Sequence, residues 1–114
     1  MNVEWVRKYC LAMPHTTETV QWGANLVFKI GGKMYAVAAL EPADHWLSLK
    51  CSAEDFADLV EREGAIPAPY LARAQWVALQ TEDAVTTAEL KRLLRNAYDL
   101  VFAKLTRKAR HELT

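Results

Sequence analysis

The spacing of hydrophobic positions switches from helical to alternating and back along the chain, and each switch predicts an element. Val3, Val6, Cys10 and Met13, with Trp5 and Tyr9 alongside, fall at the i, i+3, i+4, i+7 intervals of a buried helix face. Asn2 is placed to cap that helix and Pro14 to stop it. Across residues 19–51 the period drops to two. The runs "TVQW", "ANLVFKI", "KMYAVAAL" and "WLSLKC" are rich in β-branched and aromatic residues and are separated by Gly23, Gly31-Gly32 and "EPADH". They predict four antiparallel strands. Gly31-Gly32 suits a two-residue turn with positive φ, which sets Ile30 opposite Lys33, Phe28 opposite Tyr35 and Leu26 opposite Val37.

Helical spacing returns in "SAEDFADLVERE", where Ser52 caps, Phe56, Leu59 and Val60 point inward, the acids are solvated and Gly64 ends the segment. "AIPAPYLARA" holds two prolines and reads as an irregular crossing, and "QWVALQ" as a fifth strand. Thr86 and Glu89 form a capping box for a last helix that buries Leu90, Leu93, Leu94, Ala97, Tyr98, Val101 and Leu105. The pattern predicts an α+β fold: one two-layer domain over residues 1–114, an antiparallel sheet of about five strands, and helices packed on one face.

Size agrees with this, since 114 residues with 52% hydrophobic content suffice for one core. Charge adds a constraint. Fourteen Lys and Arg balance fourteen Asp and Glu, so overall charge cannot draw in a polyanion, and any attraction must be local. The distribution is polarised. Glu54, Asp55, Asp58, Glu61 and Glu63 are opposed only by Arg62, whereas Lys91, Arg92, Arg95, Lys104, Arg107, Lys108 and Arg110 are opposed only by Asp99. No run approaches the ~18 apolar residues of a membrane span, and Glu4 and Arg7 interrupt the N-terminal apolar residues, which points to a cytoplasmic protein without a membrane partner. In that compartment Cys10 and Cys51 are reduced and buried.

Candidate chemistry is sparse. Gly31-Gly32-Lys33 lacks the earlier glycine of a phosphate-binding loop, has Met34 where such a loop needs Ser or Thr, and runs into a strand, so it reads as a hairpin turn. His15, His45 and His111 stand in unrelated contexts without metal-ligand spacing. Cys51 precedes a helix, where a thiolate would be favoured, yet it alternates with Leu47 and Leu49 on an apolar face, which makes it a packing residue. Glu54 and Asp55 diverge by about 100° round a helix and suit its first turn better than paired carboxylate chemistry. No nucleophile elbow or triad is visible, so the expectation is a non-catalytic protein with neither metal nor cofactor. What remains is basic: Lys29, Lys33 and Lys50 alternate with apolar neighbours on the hairpins, and Arg73 precedes Trp76 in the crossing. Cations with aromatics on a sheet can grip a phosphate backbone and stack on bases.

Taken together, "YCLAMPHTTETVQWG", "FKIGGKMYAV", "LSLKCSAEDFADLV", "IPAPYLARAQWVAL" and "LLRNAYDLVFAKL" resemble, in order and over residues 3–105, the MmcQ/YjbR family of small bacterial proteins. The resemblance implies a curved antiparallel sheet with helices on one side, similar in outline to frataxin and to a "double wing" DNA-binding domain. It also implies DNA binding. The positions carried over are the Pro14 loop with Trp22, the Lys33 turn, Leu49-Lys50, the crossing from Pro67 to Trp76, and Tyr98. Arg73 stands where lysine is common and Asn96 where serine is common. The expectation is therefore a monomer or weak dimer that binds DNA through Lys29, Lys33, Lys50, Arg73 and Trp76, with stacking from exposed members of Trp22, Trp46 and Trp76. The alternative is a protein-interaction or chaperone-like adaptor that receives a partner peptide and uses the acidic helix for specificity.

Overall fold

A computed structural model describes residues 2–113. These form six strands and four α-helices in the order α1 (Val3–Leu11), β1 (Thr17–Gln21), β2 (Asn25–Ile30), β3 (Lys33–Ala39), β4 (Leu47–Lys50), α2 (Ala53–Leu59), β5 (Ala65–Pro67), β6 (Trp76–Leu79), α3 (Thr87–Lys104) and α4 (Arg107–Glu112), with a 3₁₀ turn at Ala72–Ala74. The strands make one sheet in the order β1-β2-β3-β4-β6-β5, and every neighbouring pair is antiparallel.

The helix boundaries follow from their caps. The side chains of Asn2, Ser52 and Thr86 accept hydrogen bonds from the backbone N–H groups of Trp5, Asp55 and Glu89, and Glu89 returns a contact to the Thr86 N–H, completing the capping box. Thr106 caps α4 in the same way through Ala109, an element additional to those predicted.

Two expectations about the sheet are corrected. Ala65–Pro67, expected to be part of an irregular crossing, is a short strand that pairs with Leu79, Ala78 and Val77 at the rim of the sheet and brings the strands to six. Proline is tolerated there because its missing N–H falls on an edge that has no further partner. The β2–β3 register also departs from a regular ladder. Ile30 does face Lys33, and Lys29 faces Met34, but Phe28 then pairs with Ala36 and Leu26 with Ala38. Tyr35 is the extra residue of a β-bulge. Both Tyr35 and Ala36 are thereby buried on the helix side, where the Tyr35 ring meets Tyr98 edge-on at 5.7 Å and its hydroxyl shares a 3.0 Å hydrogen bond with Thr16 Oγ1. A regular register would have set two large rings, Phe28 and Tyr35, directly across from one another.

The main core lies between this face and the helices. Leu26, Phe28, Ile30, Leu47, Leu49, Val77 and Leu79 of the sheet meet Val6, Cys10, Leu59, Leu90, Leu93, Leu94 and Ala97 of the helices. Burial pushes the thiols of both Cys10 and Cys51 up to about 12, which leaves them protonated packing groups. On the far face a smaller cluster forms where residues of the crossing fold over β6. Ala68 and Leu71 cover Trp76 and Ala78, with Met34, Val37 and Ile66 beside them.

The acids of α2 are not all solvated. Arg92 of α3 donates to both Asp55 oxygens at 3.1 Å, and Arg62 donates to Asp58 at 2.8 Å and to Glu89 at 2.7 Å. The hydrogen bond from Arg92 holds Asp55 below its ordinary value of 3.8, and that from Arg62 holds Glu89 below 4.5. Both carboxylates are depressed by folding, so their stabilisation is complete above the unfolded-state values and disappears as pH falls through the lower folded-state ones. The unfolding temperature should therefore be level from neutrality to about pH 5 and decline below it. Arg92→Met should flatten that decline when followed by circular dichroism, and an unchanged acid limb would refute the assignment.

Candidate functional site

A cavity of about 290 Å³ opens at the end of the sheet where the β2–β3 hairpin, the close of β4, the start of β6 and the last turn of α3 converge. The last β3–β4 pair is Ala36 with Leu49, and the cavity lies beyond it, where neither Tyr35 nor Lys50 is paired across these two strands. Met34 and Trp76 line the gap from the sheet, Val101 from α3 and Ala74 from the crossing, and Lys33, Lys50 and Lys104 complete the lining.

Each lysine is placed by its element. Lys33 is fixed by the Gly31-Gly32 turn, in which both glycines have positive φ, 59° and 80°. Gly31 also lies against the end of α3: a Cβ there would stand 2.6 Å from Leu105 Cδ1. Lys50 ends β4 opposite Trp76, and its Nζ donates to the Ala74 carbonyl, which ties the crossing to the sheet. Lys104 follows Val101 by three positions and so shares its side of the helix.

The electrostatics of this corner differ from those of the arginines of α1 and the α2–α3 contact. Arg7, Arg62, Arg92 and Arg95 are each held by carboxylates. Among the described residues no carboxylate lines the cavity, and Lys33, Lys50 and Lys104 form no ion pair. Burial, and then the charge of Lys104, lowers the proton affinity of Lys50. The cluster is thus a concentration of positive charge without an internal counter-ion.

Of the residues singled out from sequence, Lys33, Lys50 and Trp76 line the cavity together. Lys29 lies across from Met34 on the face away from the helices, and Arg73 immediately precedes Ala74, so both flank the cavity without lining it. Trp76 is only 4% exposed and is enclosed by Ala68 and its neighbours, which leaves no free ring face for a base. Trp46 is half-buried against the core, and Trp22, at 64% exposure, sits on the β1–β2 turn. Sequence reasoning passed over Lys104 as a site residue, although its helical spacing from Val101 was a usable signal. Asn96 donates to Asp55 at 3.4 Å and belongs to the α2–α3 contact.

A two-layer α+β domain with helices on one sheet face and an unpaired cluster of lysines at the sheet's end is the class that fold and cavity define. The YjbR family model matches residues 11–100, and the chain belongs to that family. It is similar to the crystal structure of Deinococcus radiodurans protein DR2400, which has a DUF419 domain, at 32% identity and a TM-score of 0.86 over 98% of this chain and 87% of that one. A Pseudomonas syringae protein shares the fold at 19% identity, with a TM-score of 0.70 over 88% of this chain and 98% of that one. No curated protein matches the chain. Among the described residues no helix is long and apolar enough to cross a membrane.

Proposed function

We propose that this protein is a non-catalytic nucleic-acid-binding protein that holds phosphate groups at the lysine-rimmed cavity. The observation that carries the reading is the convergence of Lys33, Lys50 and Lys104, from three elements distant in sequence, on one cavity with no carboxylate in its lining. A chain with balanced charges can attract a polyanion only through such a local excess. Lys29 and Arg73, one position from lining residues, extend the positive region along the open sheet face and the crossing. Phosphate contacts of this kind position a strand and carry no sequence information, so the expected binding is weakly selective for sequence.

The adaptor reading relied on the acids of α2, and two of them, Asp55 and Asp58, are already engaged by Arg92 and Arg62. That favours the nucleic-acid reading.

The test is anisotropy titration of labelled single and double strands across salt. Counter-ion release by three lysines gives a log–log salt slope of about −2 for single strands and steeper for duplex. Lys33→Ala and Lys50→Ala should each weaken binding and lower the slope by roughly one unit of contact. Failure to bind any strand at low salt, or affinity indifferent to both substitutions, would exclude the proposal.

A further inference from the structure

We propose, building on that reading, that the cavity takes the terminal phosphate of a nucleic-acid strand, with the body of the end nucleotide resting on Met34, Val101 and Trp76. An end is favoured over the interior of a strand for three reasons.

The first is shape. The cavity lies at the end of the sheet, is about 290 Å³ in volume, and is lined from both the sheet and α3. An internal phosphodiester is flanked by sugars on both sides and would have to run across the mouth. A terminal nucleotide enters with one covalent connection and fills a space of this scale. Paired duplex backbone, convex and stiff, has less access still.

Charge is the second. An internal phosphodiester carries one negative charge, whereas a phosphate monoester carries about −1.5 to −2 at neutral pH and offers three acceptor oxygens. Three lysines from separate elements line the cavity without a carboxylate among them. Lys50 and Lys104 are close enough for the second to disfavour the charge of the first. A dianion offsets that mutual repulsion better than a monoanion does.

The third is the apolar lining. Met34, Val101 and Trp76 offer hydrocarbon surface beside the lysines. Inorganic phosphate alone would leave that surface without a partner. A sugar and base attached to the phosphate would cover it, and the enclosed position of Trp76 makes this an edge and side-wall contact in place of stacking.

The experiment compares one short single strand in three forms: with a 5′-phosphate, with a 3′-phosphate, and with hydroxyls at both ends. One phosphorylated form should bind about tenfold more tightly than the hydroxyl form, the scale of one additional charge-assisted contact, and which form does so identifies the end that is read. Lys104→Ala, at an exposed position where folding is not at stake, should remove most of that advantage and weaken the hydroxyl form only by the smaller factor of one lost phosphodiester contact. A mononucleotide should displace the phosphorylated strand at lower concentration than inorganic phosphate does. Equal affinity for all three forms, with binding otherwise intact, overturns the inference and leaves the nucleic-acid reading in place. An advantage that survives both Lys104→Ala and Lys33→Ala overturns the assignment to this cavity. Equal competition by inorganic phosphate overturns the role given to the apolar lining. Absence of binding by every form removes the underlying reading as well.

Discussion

Replacing Tyr35 by alanine should destabilise the protein by about 4 kcal/mol, the scale of deleting a buried aromatic ring. The ring is fully buried, packs on Tyr98 and carries a hydroxyl bonded to Thr16. Against a total stability of roughly 5–15 kcal/mol, such a loss would leave a substantial unfolded fraction in a marginal background. Tyr35→Phe keeps the ring and removes only the hydroxyl, so it should cost about 1 kcal/mol. Urea denaturation monitored by tryptophan fluorescence separates the two. A loss below about 1 kcal/mol for alanine would mean that the ring is not a core element.

The second large effect concerns binding. Lys50→Glu combined with Lys104→Glu should weaken strand binding by at least about a hundredfold, since two contacts worth about 1.5 kcal/mol each are lost before any repulsion is added. Lys8→Glu with Lys91→Glu makes the same change in net charge at exposed positions of α1 and the first part of α3. Position 91 is 13 residues from 104, about 20 Å along the helix. That control should bind nearly as the parent does when titrated at the same ionic strength. If both pairs weaken binding alike, net charge governs the interaction and the cavity does not.

The helices were legible because their signals are local. A cap, a periodic apolar stripe and a stop occur within each segment, and Asn2, Ser52 and Thr86 perform as the spacing indicates. The hairpin turn was legible for the same reason: Gly31 and Gly32 both adopt the positive φ that the pattern required. The bulge was not, since "KMYAVAAL" alternates well enough to fit a regular ladder and carries no local mark of the register shift between Phe28 and Lys29. Nor was β5, because proline signals a break in sequence while an edge strand accommodates it. For the site, the lysines at 33 and 50 could be picked out from their strands, but their meeting with Lys104 depends on where α3 ends relative to the hairpin, a long-range fact with no local mark. Trp76 illustrates the opposite error. It looked available as a stacking platform, and the crossing residues that enclose it lie only a few positions upstream.

The contact between Gly31 and Leu105 acts as a joint between two parts of the chain that are otherwise unrelated. Lys33 lies two residues past one side of it and Lys104 directly before the other, so the contact brings together the two stretches of backbone that carry these lysines. A methyl group introduced at position 31 would press on the terminal methyls of Leu105, which must turn aside to admit it, at a φ of 59° that already favours glycine.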